Sequence, residues 1–327
     1  MKAIKKQQIA ILCVMMCSAS TTVFAETTNL SSNTATTNQT AETKVIMLGT
    51  ANPGVNAHRA GQGILVVVDK ELFLFDAGPG ALKNINALNY DFMPSVNSFQ
   101  LNQDTAYKKL NKLFITHLDS DHVLGLPELL LRPWVLGRED KLSIVGPKGT
   151  ASLVNNTLLA FKDDIQHRLN SPQPTTKYGY QANVQEISGN QIVYQSAKVT
   201  IKSFKVQHGT WDQAKTFGYR IETPDKTIVI SGDTKKQDDI LANFKGADVL
   251  IHEVISNQTL EKMPAQWRPY MLDAHTTTSQ LAEIANQVKP KLLILNHAIT
   301  HSDDSLIQEM GEIYKGPFKL ANDLDIY

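Results

Sequence analysis

The sequence predicts one α/β domain of layered sheet and helix, and three observations lead there. From residue 44 onward, short apolar runs of mostly four to six residues, rich in Val, Ile, Leu and Phe, alternate with helical stretches. Several of these runs end in Gly, Asp or His, as strands do when they deliver a polar residue to a sheet edge. No internal repeat and no second linker divides the chain, and 327 residues at 42% hydrophobic content can bury one large core.

The strand candidates are Val45–Leu48, Ile64–Val68, Leu72–Phe75, Lys112–Ile115, Leu142–Val145, Val199–Phe204, Phe217–Glu222, Thr227–Ile230, Val249–Ile251 and Leu292–Leu295. The helix candidates are Leu126–Leu131, Thr150–Leu169 and Thr278–Val288. In the last, Leu281, Ile284, Ala285 and Val288 form one apolar face behind Thr/Ser caps.

The N-terminus reads differently. Lys2, Lys5 and Lys6 precede an apolar stretch from Ile9 to Met16, and Val23-Phe24-Ala25 offers small residues for cleavage. Residues 1–25 therefore read as a secretory signal, too short in its apolar part to anchor a chain permanently. The Thr/Asn/Ser-rich tract that follows, to residue 43, reads as a flexible leader, and residues 44–327 as the folded domain. A periplasmic or secreted protein of Gram-negative type is expected, with no membrane anchor after cleavage.

Both cysteines, Cys13 and Cys17, fall inside the signal, so any metal in the mature chain rests on His and carboxylate. The 32 basic and 32 acidic residues give no field that favours nucleic acid, and removal of the three signal lysines leaves a small acidic excess.

The densest chemistry is Thr116-His117-Leu118-Asp119-Ser120-Asp121-His122, four ligand-type side chains in six residues directly after an apolar run. A strand ending in a turn can aim His117 and Asp119 at one ion and swing Asp121 and His122 toward a second. The alternative is a polar turn that only hydrogen-bonds its own backbone. His208, Asp233 and His297, each at the end of a strand candidate, tip the balance. Seven residues suffice for two ions sharing one carboxylate, with room left for water.

These stretches also carry a resemblance. Leu48-Gly49-Thr50 with Arg59, Phe75-Asp76-Ala77-Gly78-Pro79-Gly80, the 116–122 cluster with Gly125-Leu126-Pro127, Gly146-Pro147-Lys148-Gly149, His208 with Gly218-Tyr219-Arg220-Ile221, Ser231-Gly232-Asp233-Thr234, Ile251-His252-Glu253, His275-Thr276-Thr277 and Leu295-Asn296-His297 occur in order. The chain resembles the metallo-β-lactamase fold superfamily, in its ribonuclease Z-like branch. The resemblance implies a four-layer αββα sandwich, metal-ligand roles for His117, Asp121, His122, His208, Asp233 and His297, protonation of the leaving group by His275, and orientation or deprotonation of the attacking water by Asp121. Two divalent ions are implied, zinc first.

Two departures stand out. Asp119 occupies the place where that family usually has a second His, and a harder carboxylate ligand admits manganese or iron beside zinc. The branch's tRNA-gripping arm has no counterpart, because only the 24 residues between His208 and Asp233 are available and two strands use them. tRNA is therefore not expected as a partner, and a small anionic ester is, with monomer and homo-oligomer both open.

Among exported members the chain looks like the zinc-dependent bacterial arylsulfatases, through the run Phe204–Trp211 and the block Asp248–His252. The expectation is thus a sulfate-ester hydrolase working through metal-activated water. A periplasmic phosphodiesterase of cyclic nucleotides or other phosphodiesters is the alternative, and a non-catalytic metal-binding relative is the alternative of another class. Trp211, Trp267 and Tyr270 are candidate contacts for an aryl ring, with packing of loop on core as the competing role. Arg268 is a candidate anion contact or a solvated surface residue, and His252-Glu253 a candidate support for a ligand His.

Overall fold

A computed structural model describes residues 42–85, 87–88, 109–173 and 176–327. The expected signal at 1–25 and all of the expected leader but Glu42 and Thr43 lie outside the described residues.

Two sheets divide the chain into consecutive halves. The first runs in sequence order: β1 Thr43–Gly49, β2 Gly63–Val68, β3 Glu71–Phe75, β4 Lys112–Phe114, β5 Leu142–Pro147 and β6 Ala182–Ile187. The second contains β7 Gln191–Gln195, β8 Thr200–Lys205, β9 Phe217–Glu222, β10 Thr227–Ile230, β11 Val249–Ile255, β12 Leu292–Ile299 and β13 Phe318–Leu320, again in order across the sheet. Each half begins antiparallel and turns parallel: β3 to β6 pair parallel in one sheet and β10 to β13 in the other. Parallel strands need crossovers, and the helices supply them on the outer faces.

Why the strands read as unbroken apolar runs follows from what each face meets. Val45, Met47, Val66, Phe73, Phe75 and Phe114 point between the sheets and meet Ile201, Tyr219, Ile221, Ile228 and Ile251 of the second. Their neighbours Ile46, Leu48, Leu65, Leu72 and Leu74 point outward onto Leu82, Leu126 and Leu130 of the helices. On the far side Val229, Leu250, Leu293 and Leu295 lie under Leu281, Ile284, Leu306 and Met310. Helix, sheet, sheet, helix is the αββα sandwich that the sequence predicts, and every central strand is covered on both faces.

Boundaries moved where local signals compete. Thr43, assigned to the leader, is fully buried and opens β1, with Oγ1 2.9 Å from Thr223 Oγ1. The helix expected over Thr150–Leu169 is two, Thr150–Ala160 and Lys162–Asn170, because the chain restarts at Phe161 with Asp163 and Asp164 in the new first turn, where the helix dipole favours acids. Thr278–Val288 is as expected, opened by a capping box between Thr277 and Gln280. Strands β6 and β7 were missed because half their side chains are exposed, so the apolar signal is thin.

Pro133, inside the helix Leu126–Val135, has no N–H for the Leu129 carbonyl. The fully buried Arg138 replaces it: its guanidinium donates to the carbonyls of Leu129 (3.0 Å), Leu130 (2.9 Å) and Gly179 (2.8 Å). Burial pulls this group down to about 10. Arg138→Met should cost at least about 2 kcal/mol, since each carbonyl left without a donor costs roughly 1–3 kcal/mol. An unchanged thermal midpoint would show that the carbonyls find other donors.

Candidate metal centre

All seven expected ligands converge on one end of the sandwich, four from the first half and three from the second. β4 stops at Phe114, and Thr116 is caught by Asp76, whose carboxylate accepts from the Thr116 N–H and Oγ1, both at 2.8 Å. His117 and Asp119 therefore leave from a loop, and Asp121 and His122 from the short helix Ser120–Val123. This corrects the expected alternation along a strand: a helical turn places Asp121 and His122 one beside the other, and Asp119 stands at its N-cap position. Gly78 lets the 76–80 loop close on that helix, since a Cβ there would lie 2.3 Å from the Asp121 carbonyl.

From the other half, His208 follows β8, Asp233 follows β10, and His297 lies within β12. His297 holds a left-handed backbone (φ 49°), as does Asp76 (φ 58°). Strain of this kind, uncommon outside Gly and Asn, is held here at two residues that face the cluster.

Asp233 is central. Its Oδ2 lies 3.2 Å from His297 Nε2, 3.5 Å from His122 Nε2 and 4.0 Å from His117 Nε2. To one side, Asp119 Oδ2 is 3.4 Å from His117 Nε2 and 3.2 Å from His208 Nε2. To the other, Asp121 Oδ2 is 3.0 Å from His297 Nε2 and 3.5 Å from His122 Nε2. The groups His117/Asp119/His208, His117/His122/Asp233 and Asp121/His122/His297 each offer three ligand atoms within 4.8 Å of one another.

The donor set fits divalent metal. His117 Nε2 and His122 Nε2 are buried without a hydrogen-bond partner, which is costly unless something else takes their lone pairs. Their rings are turned inward by bonds at Nδ1: His122 to Asp76 Oδ2 (2.8 Å), His117 to Thr116 Oγ1 (3.0 Å), and His208 to the Ala274 carbonyl (2.8 Å). Asp76 was missed as a site residue. Its strand-terminal place in Phe75-Asp76-Ala77-Gly78 was the available signal, and only the fold shows that it orients His122 rather than ligating.

His275 makes no hydrogen bond to the three acids, although its ring offers a ligand atom within 4.8 Å of those of His208 and Asp233. Its Nδ1 meets Glu253 Oε2 at 3.2 Å, and Glu253 Oε1 accepts the Thr276 N–H at 2.7 Å. Of the pair His252-Glu253, then, Glu253 supports a site histidine. His252 does not: it is fully buried behind the sheet, with Nδ1 2.7 Å from the Glu253 carbonyl and its ring edge-on to Phe244. Arg268 donates to the carbonyls of Met263 and Glu261. Trp267 and Tyr270 stay about half exposed, in edge contact with each other.

Fold and site together define a metallohydrolase architecture, and comparison places it. Residues 72–298 match the family model described as a β-lactamase superfamily domain. Ribonuclease Z of Mycolicibacterium gilvum (strain PYR-GCK) is 31% identical over 265 residues, covering 78% of this chain and 84% of that protein. Two solved structures share the fold: human tRNase Z, short form (TM-score 0.62, 20% identity, 87% of this chain and 98% of that one), and the metallo-β-lactamase fold protein YhfI from Bacillus subtilis (TM-score 0.64, 17% identity, 87% and 98%). The chain belongs to the metallo-β-lactamase superfamily, in its ribonuclease Z-like branch.

The expected arylsulfatase activity is overturned by this comparison, because the relatives are named ribonuclease Z. The features that suggested it have structural work instead. Trp211 gives its indole N–H to Asp119 Oδ1 at 3.0 Å. Asp248 accepts the Thr227 N–H at 2.7 Å and pairs with Lys291, which fastens β10 beside β11.

Charge in the cluster is set by mutual pairing. Burial opposes ionisation of Asp119, Asp121 and Asp233, but the surrounding imidazoles hold all three below the usual carboxylate range. Burial likewise disfavours charged imidazole, yet the hydrogen bond to Asp119 and the charge of Asp233 push His208 up to about 9, and Asp233 with Asp121 raises His297. His117 goes the other way, lowered by burial and by His122. A cation that takes His208 as a ligand has to displace the proton that this ring keeps below about pH 9. Metal uptake should therefore release protons at pH 7 and weaken as pH falls, which calorimetry in buffers of different ionisation enthalpy would measure. Uptake without proton release would contradict the pairing.

Proposed function

We propose that this protein is a metal-dependent phosphodiesterase that holds two divalent ions, zinc foremost. The observation that carries the reading is the seven-residue cluster, buried except at Asp119, with Asp233 between the two flanking groups, in a chain whose relatives are named for a ribonuclease. His117, Asp119 and His208 would hold one ion, Asp121, His122 and His297 the other, and Asp233 would serve both. Ions so held would supply Lewis acidity toward the diester and ease deprotonation of the attacking water.

The chain's own groups do the rest. Asp121, buried beside His122 and His297, orients the water for attack on phosphorus. As the P–O bond breaks, His275 gives a proton to the departing oxygen. Its Nδ1 is held by Glu253, which leaves Nε2 as the atom that donates. Thr276 and Glu253 keep the ring 5.1 Å from His208 and 5.7 Å from His297, centroid to centroid.

Two observations favour a compact diester over tRNA. Residues 209–232 are spent on a short loop, β9, a tight turn and β10, without an inserted arm. Acidic and basic residues are equal in number, so no net positive charge draws a polyanion.

Elemental analysis after reloading should find close to two transition-metal ions per chain. The loaded protein should cleave bis(4-nitrophenyl) phosphate and lose that activity to chelators. Cyclic AMP and a tRNA precursor, assayed beside it, separate small diesters from RNA processing. Fewer than one ion per chain, or no phosphodiester cleaved, would overturn the proposal.

A further inference from the structure

The position that departs most from the family pattern, Asp119, is also the cluster's most exposed carboxylate, with a third of its side chain open to solvent. An aspartate reaches less far than a histidine and can turn either oxygen toward a cation. Something has to fix it if it is to act as a ligand.

Trp211 is placed to do that. The turn His208-Gly209-Thr210-Trp211 closes with the Trp211 N–H on the His208 carbonyl at 3.1 Å. Gly209 takes the left-handed backbone that the turn demands (φ 51°), and its N–H is anchored on the Asp273 carbonyl at 3.1 Å. The turn folds the indole back over the cluster, where Nε1 donates to Asp119 Oδ1 at 3.0 Å. The other oxygen, Oδ2, is then the one facing His208 Nε2 at 3.2 Å and His117 Nε2 at 3.4 Å. Asp119 is thus gripped from both ends by one turn, by its indole on one oxygen and by its imidazole beside the other. Lys215 Nζ lies 6.0 Å over the indole ring and steadies its face.

We infer that Trp211 is a positioning residue that makes Asp119 a single-oxygen ligand of the ion held by His117 and His208. The inference rests on the two-ion reading proposed above. It goes beyond that reading by naming the device through which a carboxylate works at this position. A histidine there would be oriented instead through an acceptor for its second ring N–H, as His122 is by Asp76. The indole N–H, a donor that never ionises, fixes the carboxylate without adding charge to the centre.

The test measures zinc affinity by competition with a chromophoric chelator, site by site, on folded protein. Trp211→Phe keeps the ring and removes only the N–H. The weaker of the two sites should lose roughly 10–100-fold in affinity, the usual worth of a partner that orients a ligand, while the other site is unchanged. In an Asp119→Ala background the same Trp211→Phe change should have no further effect. In ¹⁵N-labelled protein, one of the three tryptophan indole N–H signals should move in Asp119→Ala and upon zinc addition, and be the one missing in Trp211→Phe. Wild-type affinity at both sites in folded Trp211→Phe would overturn the inference, as would an effect of equal size in the Asp119→Ala background. Failure of the underlying reading looks different: the wild-type protein itself would take up fewer than two ions.

Discussion

His275→Ala should retain both ions and lower kcat by roughly 10²–10⁴-fold, the range of a positioned general acid. The side chain is buried and its Nδ1 is held by Glu253, and none of the seven proposed ligands is removed with it. The size of the loss should depend on the leaving group. A 4-nitrophenolate departs with little help, whereas an unactivated phenolate needs the proton. The variant should therefore be least impaired on a 4-nitrophenyl diester and most on its phenyl counterpart. Equal losses on both would assign His275 to substrate positioning instead.

A larger loss is expected from Asp233→Asn. One of the two acceptor oxygens of the carboxylate beside three imidazoles is replaced by an NH2 donor, and a group that would serve both ions loses its charge. Occupancy should fall to one ion or fewer per chain and activity by about 10³-fold or more, on the scale seen when a preorganised charge-stabilising group is removed from a closed site. The metal content read by mass spectrometry decides the matter independently of any assay. Two ions retained in the variant would show that Asp233 is no shared ligand and that His117, His122 and His297 suffice.

Much of this was legible in the chain. Central strands covered on both faces are unbroken runs such as Ile64–Val68 and Thr227–Ile230, and burial alone makes them visible. The 117–122 cluster and the strand-terminal His208, Asp233 and His297 were legible because no packing requirement puts so many ligand types at successive strand ends. What escaped depends on distance between remote segments. Asp76 meets His122 across 46 positions and Trp211 meets Asp119 across 92, and neither spacing leaves a periodic trace. Asp76 and Trp211 stood in the sequence as a strand-end acid and a candidate aryl contact, and only folding reveals that each is spent on holding a site residue in place. The sulfate-ester expectation failed for another reason: it rested on the likeness of two short runs, Phe204–Trp211 and Asp248–His252, whereas the match over 265 residues is to a ribonuclease Z.

The two sheets are built from consecutive halves of the chain, with Ser188-Gly189-Asn190 as the short passage between them. The groups His117/Asp119/His208, His117/His122/Asp233 and Asp121/His122/His297 each draw at least one member from each side of that passage, whereas His208/Asp233/His275 and Glu253/His275/His297 come from the second half alone. Neither half holds all seven of the proposed ligands, since four lie in the first and three in the second. A nascent chain that has emerged only as far as β6 has His117, Asp119, Asp121 and His122 but not His208, Asp233 or His297, and the C-terminal half alone lacks the first four. If the seven residues bind as proposed, the two-ion centre is complete only in molecules whose halves have met face to face.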